Sequence, residues 1–225
     1  MLQKVKAAAK NSLNPDGFAY NVLAWIYGAL SSKKAIRRHA SMRLRRDSRF
    51  IEDELRMAEC LPDQVFDAVL AWFSPKNLLD VGCGVGLTLQ YALNKGLEVC
   101  GLEGSKAALE SFPVREIIKF ANLNKPQFIG RKFDLVWSVE VAEHIHPKYT
   151  HYYLDTLVRH GDCVLLSAAP PGQGGTGHFN EQPQSYWIEL MRQRGFGLEA
   201  AKTQATQSLS DKFAANMMLF LRSGR

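Results

Sequence analysis

The 225-residue sequence has only four cysteines, and no two of them form a Cys-x-x-Cys pair. Closely spaced cysteine pairs are typical of disulfide-rich scaffolds and of structural zinc sites, so the spacing argues against both. Besides Cys60, the cysteines are Cys83, Cys100 and Cys163, which lie in or beside apolar runs that predict buried strands. A thiol in such a place packs as a small hydrophobic group.

Long apolar runs are also absent. The longest run, residues 18–30, is interrupted by Asn21 and Gly28 and is too short to span a bilayer. Lysines near the start are followed by no cleavable apolar core, so we expect no secretory signal and a cytoplasmic protein. Repeats and low-complexity segments are missing, and a content of 46% hydrophobic and 22% charged residues is typical of a globular domain.

Positive charge is concentrated in the first 50 residues. Eleven Lys and Arg stand there against Asp16 and Asp47, a net charge of +9, whereas the whole chain carries +6. This basic arm is of helical composition from about Ser31, and it could dock on nucleic acid, an anionic membrane surface or an acidic glycan, or form a solvated helix over a cleft. No aromatic residue interleaves its arginines, which disfavours single-stranded nucleic acid. We predict a basic helical extension or lid over residues 1–60 and a catalytic domain over residues 61–225, with no prediction of oligomeric state.

Helical and strand patterns alternate after this arm. We predict helices at 50–60 and 62–73, a strand at 77–81, a helix at 88–95, a strand at 97–102, a helix opened by Ser105, and strands at 117–120 and 133–139. A helix at 147–160, a strand at 163–168 and a helix at 184–194 follow. The last two strands, 196–203 and 215–222, leave no room for a helix between them, so the second must be antiparallel to its neighbour. The order predicts an α/β, doubly wound, mostly parallel seven-stranded sheet that ends in an antiparallel hairpin.

The strand at 77–81 ends in three glycines at alternate positions, Gly82, Gly84 and Gly86, and helical composition resumes at Leu87. Glycines at a strand-to-helix turn allow a ligand to approach the backbone closely. The next apolar run ends at Glu103, whose carboxylate could accept both hydroxyls of an adenosine ribose. The bland alternative is a glycine-rich turn with an incidental acid downstream.

The glycine spacing separates two nucleotide chemistries. In a dinucleotide fingerprint the third glycine lies five residues after the first. Here it lies four residues after, and Asp80 stands two residues before the first glycine. A pyrophosphate gains nothing from a neighbouring carboxylate, whereas a sulfonium with an amino-acid tail can use one.

The pattern Asp-x-Gly-x-Gly-x-Gly followed by Glu103 resembles the class I S-adenosylmethionine-dependent methyltransferases, from about Leu61 onward. The resemblance implies a Rossmann-like fold and S-adenosylmethionine as cofactor. The acid that often contacts adenine after the third strand is absent, and Asn122 would have to serve. The implied cofactor-binding residues are Asp80, Gly82, Cys83, Gly84, Gly86, Glu103, Gly104, Asn122, Ser138 and Val139.

A second constellation follows the fourth strand. If the chain coils there, Glu140, Glu143 and His144 fall at i, i+3 and i+4 on one face. The spacing resembles the Glu-x-x-Glu-His element of ubiquinone-biosynthesis O-methyltransferases and small-RNA 2'-O-methyltransferases, which holds a divalent cation. In the RNA enzymes a further histidine comes from the loop after the fifth strand, where this chain has His178. The resemblance therefore implies a metal site of Glu140, Glu143, His144 and His178, with magnesium, manganese, iron and zinc all left open.

Each of these residues also has a plainer interpretation. A Glu-His pair after the fourth strand occurs in methyltransferases that need no metal, and there His144 would shape the pocket or act as a base. His178 could be a surface histidine, although a glycine- and proline-rich loop over a cleft is typical of a lid or a substrate contact. His144 and His178 are the predicted catalytic residues.

Three functions remain for the whole chain. The first is methylation of a hydroxyl on a small molecule, a sugar or a lipid-linked intermediate, because an alcohol needs a base or a metal ion to become a nucleophile. The second is methylation of an RNA 2'-hydroxyl, and the third is a nonenzymatic cofactor-binding or interaction protein that uses the basic arm. The motif Asn/Asp-Pro-Pro-aromatic is absent after the fourth strand, which argues against a DNA-amine methyltransferase.

Overall fold

A computed structural model describes residues 61–111, 117–211 and 213–224. They form a seven-stranded sheet with the order β3-β2-β1-β4-β5-β7-β6. Strand β7 runs antiparallel to both β5 and β6, and the other neighbouring strands pair in parallel. The strands are β1 (Asn77–Val81), β2 (Glu98–Glu103), β3 (Ile118–Phe120), β4 (Leu135–Ser138), β5 (Cys163–Ser167), β6 (Phe196–Leu198) and β7 (Met217–Arg222).

Helices cover both faces of this sheet. They are α1 (Asp63–Phe73), α2 (Leu87–Asn94), α3 (Lys106–Ser111), α4 (Thr150–His160), α5 (Gln184–Arg192) and α6 (Ala200–Gln207). Because the central strands are buried on both sides, neighbours in sequence are both core residues: Leu78 and Leu79 of β1 belong to the cores on opposite faces and are fully buried. The predicted α/β, doubly wound, mostly parallel sheet is confirmed.

Helix α1 shows how local sequence produces this packing. Val65, Phe66 and Val69 form its buried side, and the Phe66 ring packs edge-on against Trp137 of β4 with ring centroids 5.1 Å apart. The helix ends at Ser74, which adopts a left-handed conformation and donates its N–H to the Leu70 carbonyl. The helix predicted at 62–73 is therefore confirmed.

The order in which successive strands are added to the sheet reverses at β1: β2 and β3 lie on one side of it, and β4 and the later strands lie on the other. This strand pairs with β2 on one side and with β4 on the other, and Asp80 stands in register with Gly101 and Trp137. In an open sheet of this type, ligands bind beyond the carboxyl ends of the strands at such a switch point. The topology therefore places the residues after β1, β2 and β4 around one site.

The predicted hairpin at the end of the chain is wrong in one respect. The expected strand at 196–203 stops at Leu198, and helix α6 lies between β6 and β7. Small and polar residues with little alternation build this helix, and the Thr203 hydroxyl accepts the Leu219 N–H at 3.0 Å, which fastens α6 to β7. The antiparallel pairing of β7 is confirmed.

Two other expectations need comment. The helix predicted at 147–160 begins as a 3-10 turn, Pro147–Tyr149, before α4 starts at Thr150. The helix predicted at 50–60 and the basic arm lie outside the described residues. Within the described ranges, no helix is both long and apolar enough to cross a membrane.

Candidate active site

The turn after β1 requires glycine. Gly82 has φ +80°, and a Cβ there would collide with the Val141 side chain. The N–H groups of Gly82 and Cys83 donate to the Leu102 carbonyl at 2.8 and 3.2 Å, so the turn is fastened to the end of β2. The predicted close-approach turn is therefore present, with Gly84 also at positive φ.

Glu103, at the end of β2, is held by this turn. One carboxylate oxygen accepts the Gly84 N–H at 2.8 Å and the other accepts the Ser105 N–H at 2.6 Å. A carboxylate oxygen has two lone pairs, so both oxygens keep capacity for a ligand hydroxyl. Glu103 lines the cleft beyond the strands, in an orientation fixed before any ligand arrives.

Asp80 lies beside this acid in a buried position. Its side chain is 3% exposed, and burial, followed by repulsion from Glu103, raises the pKa of Asp80 well above its usual value. Two neighbouring carboxyls at low solvent exposure favour a positively charged ligand, because a cation would relieve their repulsion.

The cleft in front of these residues has a volume of about 1050 Å³ and runs from the glycine turn to the loop after β5. The predicted cofactor residues that line it are Asp80, Gly82, Cys83, Gly84, Glu103, Gly104, Asn122 and Val139.

Two predicted cofactor residues do not line the cleft. Ser138 is fully buried, and its hydroxyl donates to the Val81 carbonyl at 2.7 Å beside the Tyr153 hydroxyl, so it joins strands and packs the core. Gly86, at φ +77°, stands immediately before α2 and donates its N–H to the Cys83 carbonyl. Both residues support the glycine turn without lining the cleft.

The residues after β4 do not share one helical face, so that prediction is wrong. Glu140 has φ +58°, and a 3-10 turn, Ala142–His144, follows it. The Glu140 N–H donates to the Ser167 hydroxyl, which in turn donates to the Glu140 carboxylate at 2.8 Å. Glu140 lines the cleft next to Glu143, but with its carboxylate bonded to Ser167 it is not among the three residues whose ligand atoms come together.

The other three predicted ligands do come together. Glu143, His144 and His178 each offer one ligand atom, and these atoms lie within 4.8 Å of one another. The two imidazoles meet edge-on with centroids 4.9 Å apart. His144 and His178 both line the cleft opposite the glycine turn.

Glu143 is the most unusual member of this cluster. It is fully buried, and neither carboxyl oxygen has a hydrogen-bond partner among the described residues. Burial, and then the neighbouring Glu140, raise the pKa of Glu143 to about 8. A buried carboxyl without a donor needs a proton or a cation to be stable.

The tautomers of the two histidines follow from their partners. Nδ1 of His144 lies 3.1 Å from the Gly177 carbonyl, and Nδ1 of His178 lies 3.0 Å from the carboxylate of Glu181. Both partners are acceptors, so each Nδ1 carries a proton and each Nε2 is left as the nitrogen with a lone pair. Partial desolvation, and then His178, lower the pKa of His144, although its ring edge reaches solvent.

Several residues of this site are not signalled by any sequence motif. Glu181 has no recognisable spacing to a ligand. Phe213, which has φ +66°, lines the cleft although it is far away in sequence. Leu61, Pro62 and the exposed Phe120 also line it. The positions of these residues depend on tertiary packing. The sequence signal nearest to them is the glycine- and proline-rich composition of residues 170–178.

A family model described as a methyltransferase domain matches residues 79–160. The matched range begins in β1 and ends with α4. It includes the glycine turn, Glu103, and the turn that carries Glu143 and His144. The features that form both ends of the cleft thus fall largely within the match.

Two curated O-methyltransferases are similar in sequence. The chloroplastic tocopherol O-methyltransferase of Arabidopsis thaliana is 32% identical over 110 residues, which make up 44% of this chain and 30% of that protein. The ubiquinone biosynthesis O-methyltransferase of Alkalilimnicola ehrlichii is 28% identical over 130 residues, 52% of this chain and 47% of that protein. The chain spans less than half the length of these relatives.

A solved structure shares the fold over most of the chain. Magnesium protoporphyrin IX methyltransferase from Synechocystis PCC 6803 with bound SAM superposes with a TM-score of 0.55 at 20% identity, covering 86% of this chain and 98% of that one. At this identity the likeness is one of fold.

Proposed function

We propose that this chain is a class I S-adenosylmethionine-dependent methyltransferase, which the methyltransferase-domain match and the similarity to O-methyltransferases support, and that it methylates a hydroxyl group of a small molecule, a saccharide or a lipid-linked intermediate. The observation that carries this proposal is a single cleft with two different ends. Asp80 and Glu103 stand at one end, and His144 and His178 stand at the other. One end suits a cationic nucleoside and the other an acceptor that must lose a proton.

The cofactor end fits S-adenosylmethionine by charge and shape. The backbone of the glycine turn admits the amino-acid portion, and Glu103 accepts the ribose hydroxyls while it keeps its bonds to the Gly84 and Ser105 amides. Asp80 lies close enough to repel Glu103, so a positive charge on the cofactor lowers the electrostatic energy of both acids. Phe120 and Asn122 line the same end of the cleft beyond β3 and are candidates for the adenine contact.

The acceptor end fits a hydroxyl better than an amine. Methyl transfer is an in-line displacement in which the C–S bond of the sulfonium breaks as the new O–C bond forms, and the hydroxyl proton must leave. Among the described residues that line this end of the cleft, His144 and His178 each offer an Nε2 that can take that proton. An amine acceptor would need only a neutral lone pair, and the two relatives described above are both named O-methyltransferases.

Glu143, His144 and His178 also fit a divalent cation. The buried carboxyl of Glu143 lacks a partner among the described side chains, and two imidazoles stand beside it. One carboxylate with two imidazoles is a donor set that favours zinc, iron or manganese over magnesium. When bound, such an ion would lower the pKa of the acceptor hydroxyl. In that case the two histidines serve as ligands and orient the acceptor.

The experiment that tests this function is methyl transfer from S-adenosylmethionine labelled in its methyl group. The full chain is incubated with three acceptor panels: hydroxylated small molecules, sugar nucleotides, and short RNAs with and without a terminal 2'-hydroxyl. We expect a base-stable methyl ether on a member of the first two panels. Transfer only to the 2'-hydroxyl RNA would establish the second candidate function, and transfer only to amines would refute O-methylation. Cofactor binding by calorimetry without transfer to any panel would favour a nonenzymatic cofactor-binding protein, and absence of cofactor binding would favour an interaction protein. The cytoplasmic location stays a prediction.

A further inference from the structure

Glu181 lies in the loop between β5 and α5 and accepts three hydrogen bonds. One carboxylate oxygen accepts the Gly174 N–H at 2.7 Å and Nδ1–H of His178 at 3.0 Å, and the other accepts the Gly172 N–H at 2.8 Å. Its side chain is 19% exposed and that of His178 is 11% exposed, so the pair is shielded from most solvent. These donors, His178 foremost, lower the pKa of Glu181, which keeps it ionised at neutral pH.

The same loop is fastened to the turn after β4 by separate contacts. The Glu143 carbonyl accepts the N–H groups of Phe179 and Asn180 at 2.9 and 3.1 Å, and the Asn180 side chain donates to the Thr150 hydroxyl at 3.0 Å. These contacts hold the loop at its far end, next to α4. They do not involve the His178 ring, whose Nδ1 is bonded to Glu181.

The His178 ring is confined on a second side by the backbone. A Cβ at Gly175 would collide with the imidazole, so the ring packs directly against the main chain of the glycine-rich loop. Glu181 holds the amides of Gly172 and Gly174, on one side of Gly175, and the ring itself on the other. One carboxylate therefore fixes both the imidazole and the loop segment that encloses it.

We propose that Glu181 is the positioning residue of this site. It holds His178 as the Nδ1–H tautomer, so that Nε2 carries the lone pair that is available to the cluster with Glu143 and His144 and to the acceptor. The part of this inference that concerns the acceptor rests on the proposed function, whereas the tautomer of His178 does not depend on it. A carboxylate behind a histidine raises the basicity of the far nitrogen and fixes its direction. Glu181 itself is not among the residues that line the cleft.

The first test measures the tautomer directly on the full chain. Two-bond ¹⁵N–¹H correlation spectra at pH 8 report which imidazole nitrogen carries the proton, and His178→Ala identifies the signal. We expect the Nδ1–H form in the wild type and in Glu181→Gln, whose side-chain oxygen can still accept. In Glu181→Ala we expect a mixture dominated by the Nε2–H form, which is preferred in free imidazole side chains. An unchanged Nδ1–H signal in Glu181→Ala would overturn the proposal.

The second test measures affinity for Co²⁺, added as the chloride and followed by its visible absorption. Loss of a carboxylate behind a metal-binding histidine weakens metal affinity by about 10- to 100-fold. We expect this loss in Glu181→Ala and a smaller one in Glu181→Gln, where the new NH₂ group opposes the Gly172 N–H. The matched control is Glu189→Gln, which removes an exposed acid paired with Arg192 on α5 at 2.7 Å. It should change neither the tautomer nor the Co²⁺ affinity.

The two tests separate the failure of this inference from that of the proposed function. If the wild type binds S-adenosylmethionine but not Co²⁺, the metal is removed from the proposed function, and the tautomer measurement still decides the role of Glu181. If Glu181→Ala alters Co²⁺ affinity by less than twofold in a wild type that binds it, Glu181 only shapes the loop and the positioning role is refuted. Cofactor affinity should be the same in all variants, since none of them touches Asp80 or Glu103.

Discussion

Glu103 and Gly84 are joined by a hydrogen bond of 2.8 Å from the backbone N–H of Gly84 to the carboxylate. The bond connects the acid that ends β2 with the glycine turn that follows β1, although 19 residues separate them in sequence. The relationship makes the two parts of the proposed cofactor site a single unit. A ligand that contacts one of them meets the other in a fixed position.

Replacement of Glu103 should therefore weaken cofactor binding. Hydrogen bonds to a charged group contribute about 1.5–3 kcal/mol each. We expect Glu103→Ala to lose at least one such contribution in S-adenosylmethionine affinity by calorimetry, and Glu103→Gln to lose less. Glu98→Gln, at the other end of the same strand and exposed beside Arg131, is the control and should leave the affinity unchanged. Unaltered affinity in Glu103→Ala, or tight NAD binding by the wild type, would contradict the assignment.

A methyl group at Gly82 should destabilise the fold more than one at Gly96. Both residues have positive φ, +80° and +86°, but a Cβ at Gly82 would collide with Val141, whereas a Cβ at Gly96 would meet no atom within 4 Å. Gly96→Ala should cost about 1–2 kcal/mol from backbone strain alone. Gly82→Ala adds a steric cost of about 1–3 kcal/mol. Urea unfolding measures both, and Val141→Ala should recover part of the loss in Gly82→Ala. Equal losses in the two alanine variants would show that Val141 moves away freely.

Glu143 and Glu140 should respond differently to amide substitution. Glu143→Gln removes a ligand atom from the cluster, so zinc retained after dialysis should fall strongly by elemental analysis. Glu140→Gln keeps an oxygen for the Ser167 hydroxyl and should retain zinc. A chelator should abolish turnover, and added metal should restore it, while cofactor binding persists throughout. A fully active, metal-free wild type would instead assign His144 or His178 as the general base.

His160 should make the protein less stable at acidic pH. It is fully buried, its Nδ1 donates to the Thr156 carbonyl, and its Nε2 accepts the Ile129 N–H at 3.0 Å. Burial lowers the pKa of His160. The unfolded chain, with a histidine pKa of about 6.5, therefore takes up its proton first as the pH falls. The contribution of neutral His160 to the free energy of unfolding is therefore complete above about pH 6.5. It is lost as the pH falls from there to the lower pKa of His160 in the folded protein.

The measurement compares urea unfolding at several pH values between 8 and 5. His160→Gln, which keeps an acceptor for the Ile129 N–H but does not titrate, should lose less stability over this range than the wild type. Parallel curves for the two proteins would show that other groups cause the acid sensitivity.

Removal of residues 1–60 should separate cofactor binding from activity. Leu61 and Pro62, where the described chain begins, line the cleft. We propose that the arm covers the acceptor end or docks an anionic partner there. The truncated chain should fold by circular dichroism and bind S-adenosylmethionine, but lose methyl transfer to its substrate. Failure to fold would show that the arm belongs to the core.

The sequence was most informative where one strong pattern decides the structure. The apolar runs of β1, β2, β4 and β5 predict buried parallel strands, and the glycine turn with Glu103 predicts the position of the cleft. Sequence patterns failed where a single backbone dihedral or a distant partner decides. Glu140 adopts φ +58°, which no spacing rule anticipates, so it does not continue a regular helical turn with Glu143 and His144.

Distant partners account for the other differences. Helix α6 carries almost no apolar periodicity and is fastened to β7 through Thr203, so its existence depends on a strand that comes later in sequence. Glu181 looks like an ordinary loop acid until the fold brings Gly172, Gly174 and His178 around it. The residue types at the acceptor end of the cleft could therefore be predicted from the sequence, but their arrangement in space could not.

The position of β7 between β5 and β6 has a consequence during synthesis. Of the strands described, β7 leaves the ribosome last, yet it pairs with β5 from Cys163 to Ser167. Until then a nascent chain carries β5 with one row of backbone amides and carbonyls unpaired, an edge that attracts other strands. The Ser167 end of that edge also holds Glu140. A chain stalled before β7 would thus expose an unpaired strand edge to neighbouring nascent chains beside an incomplete site.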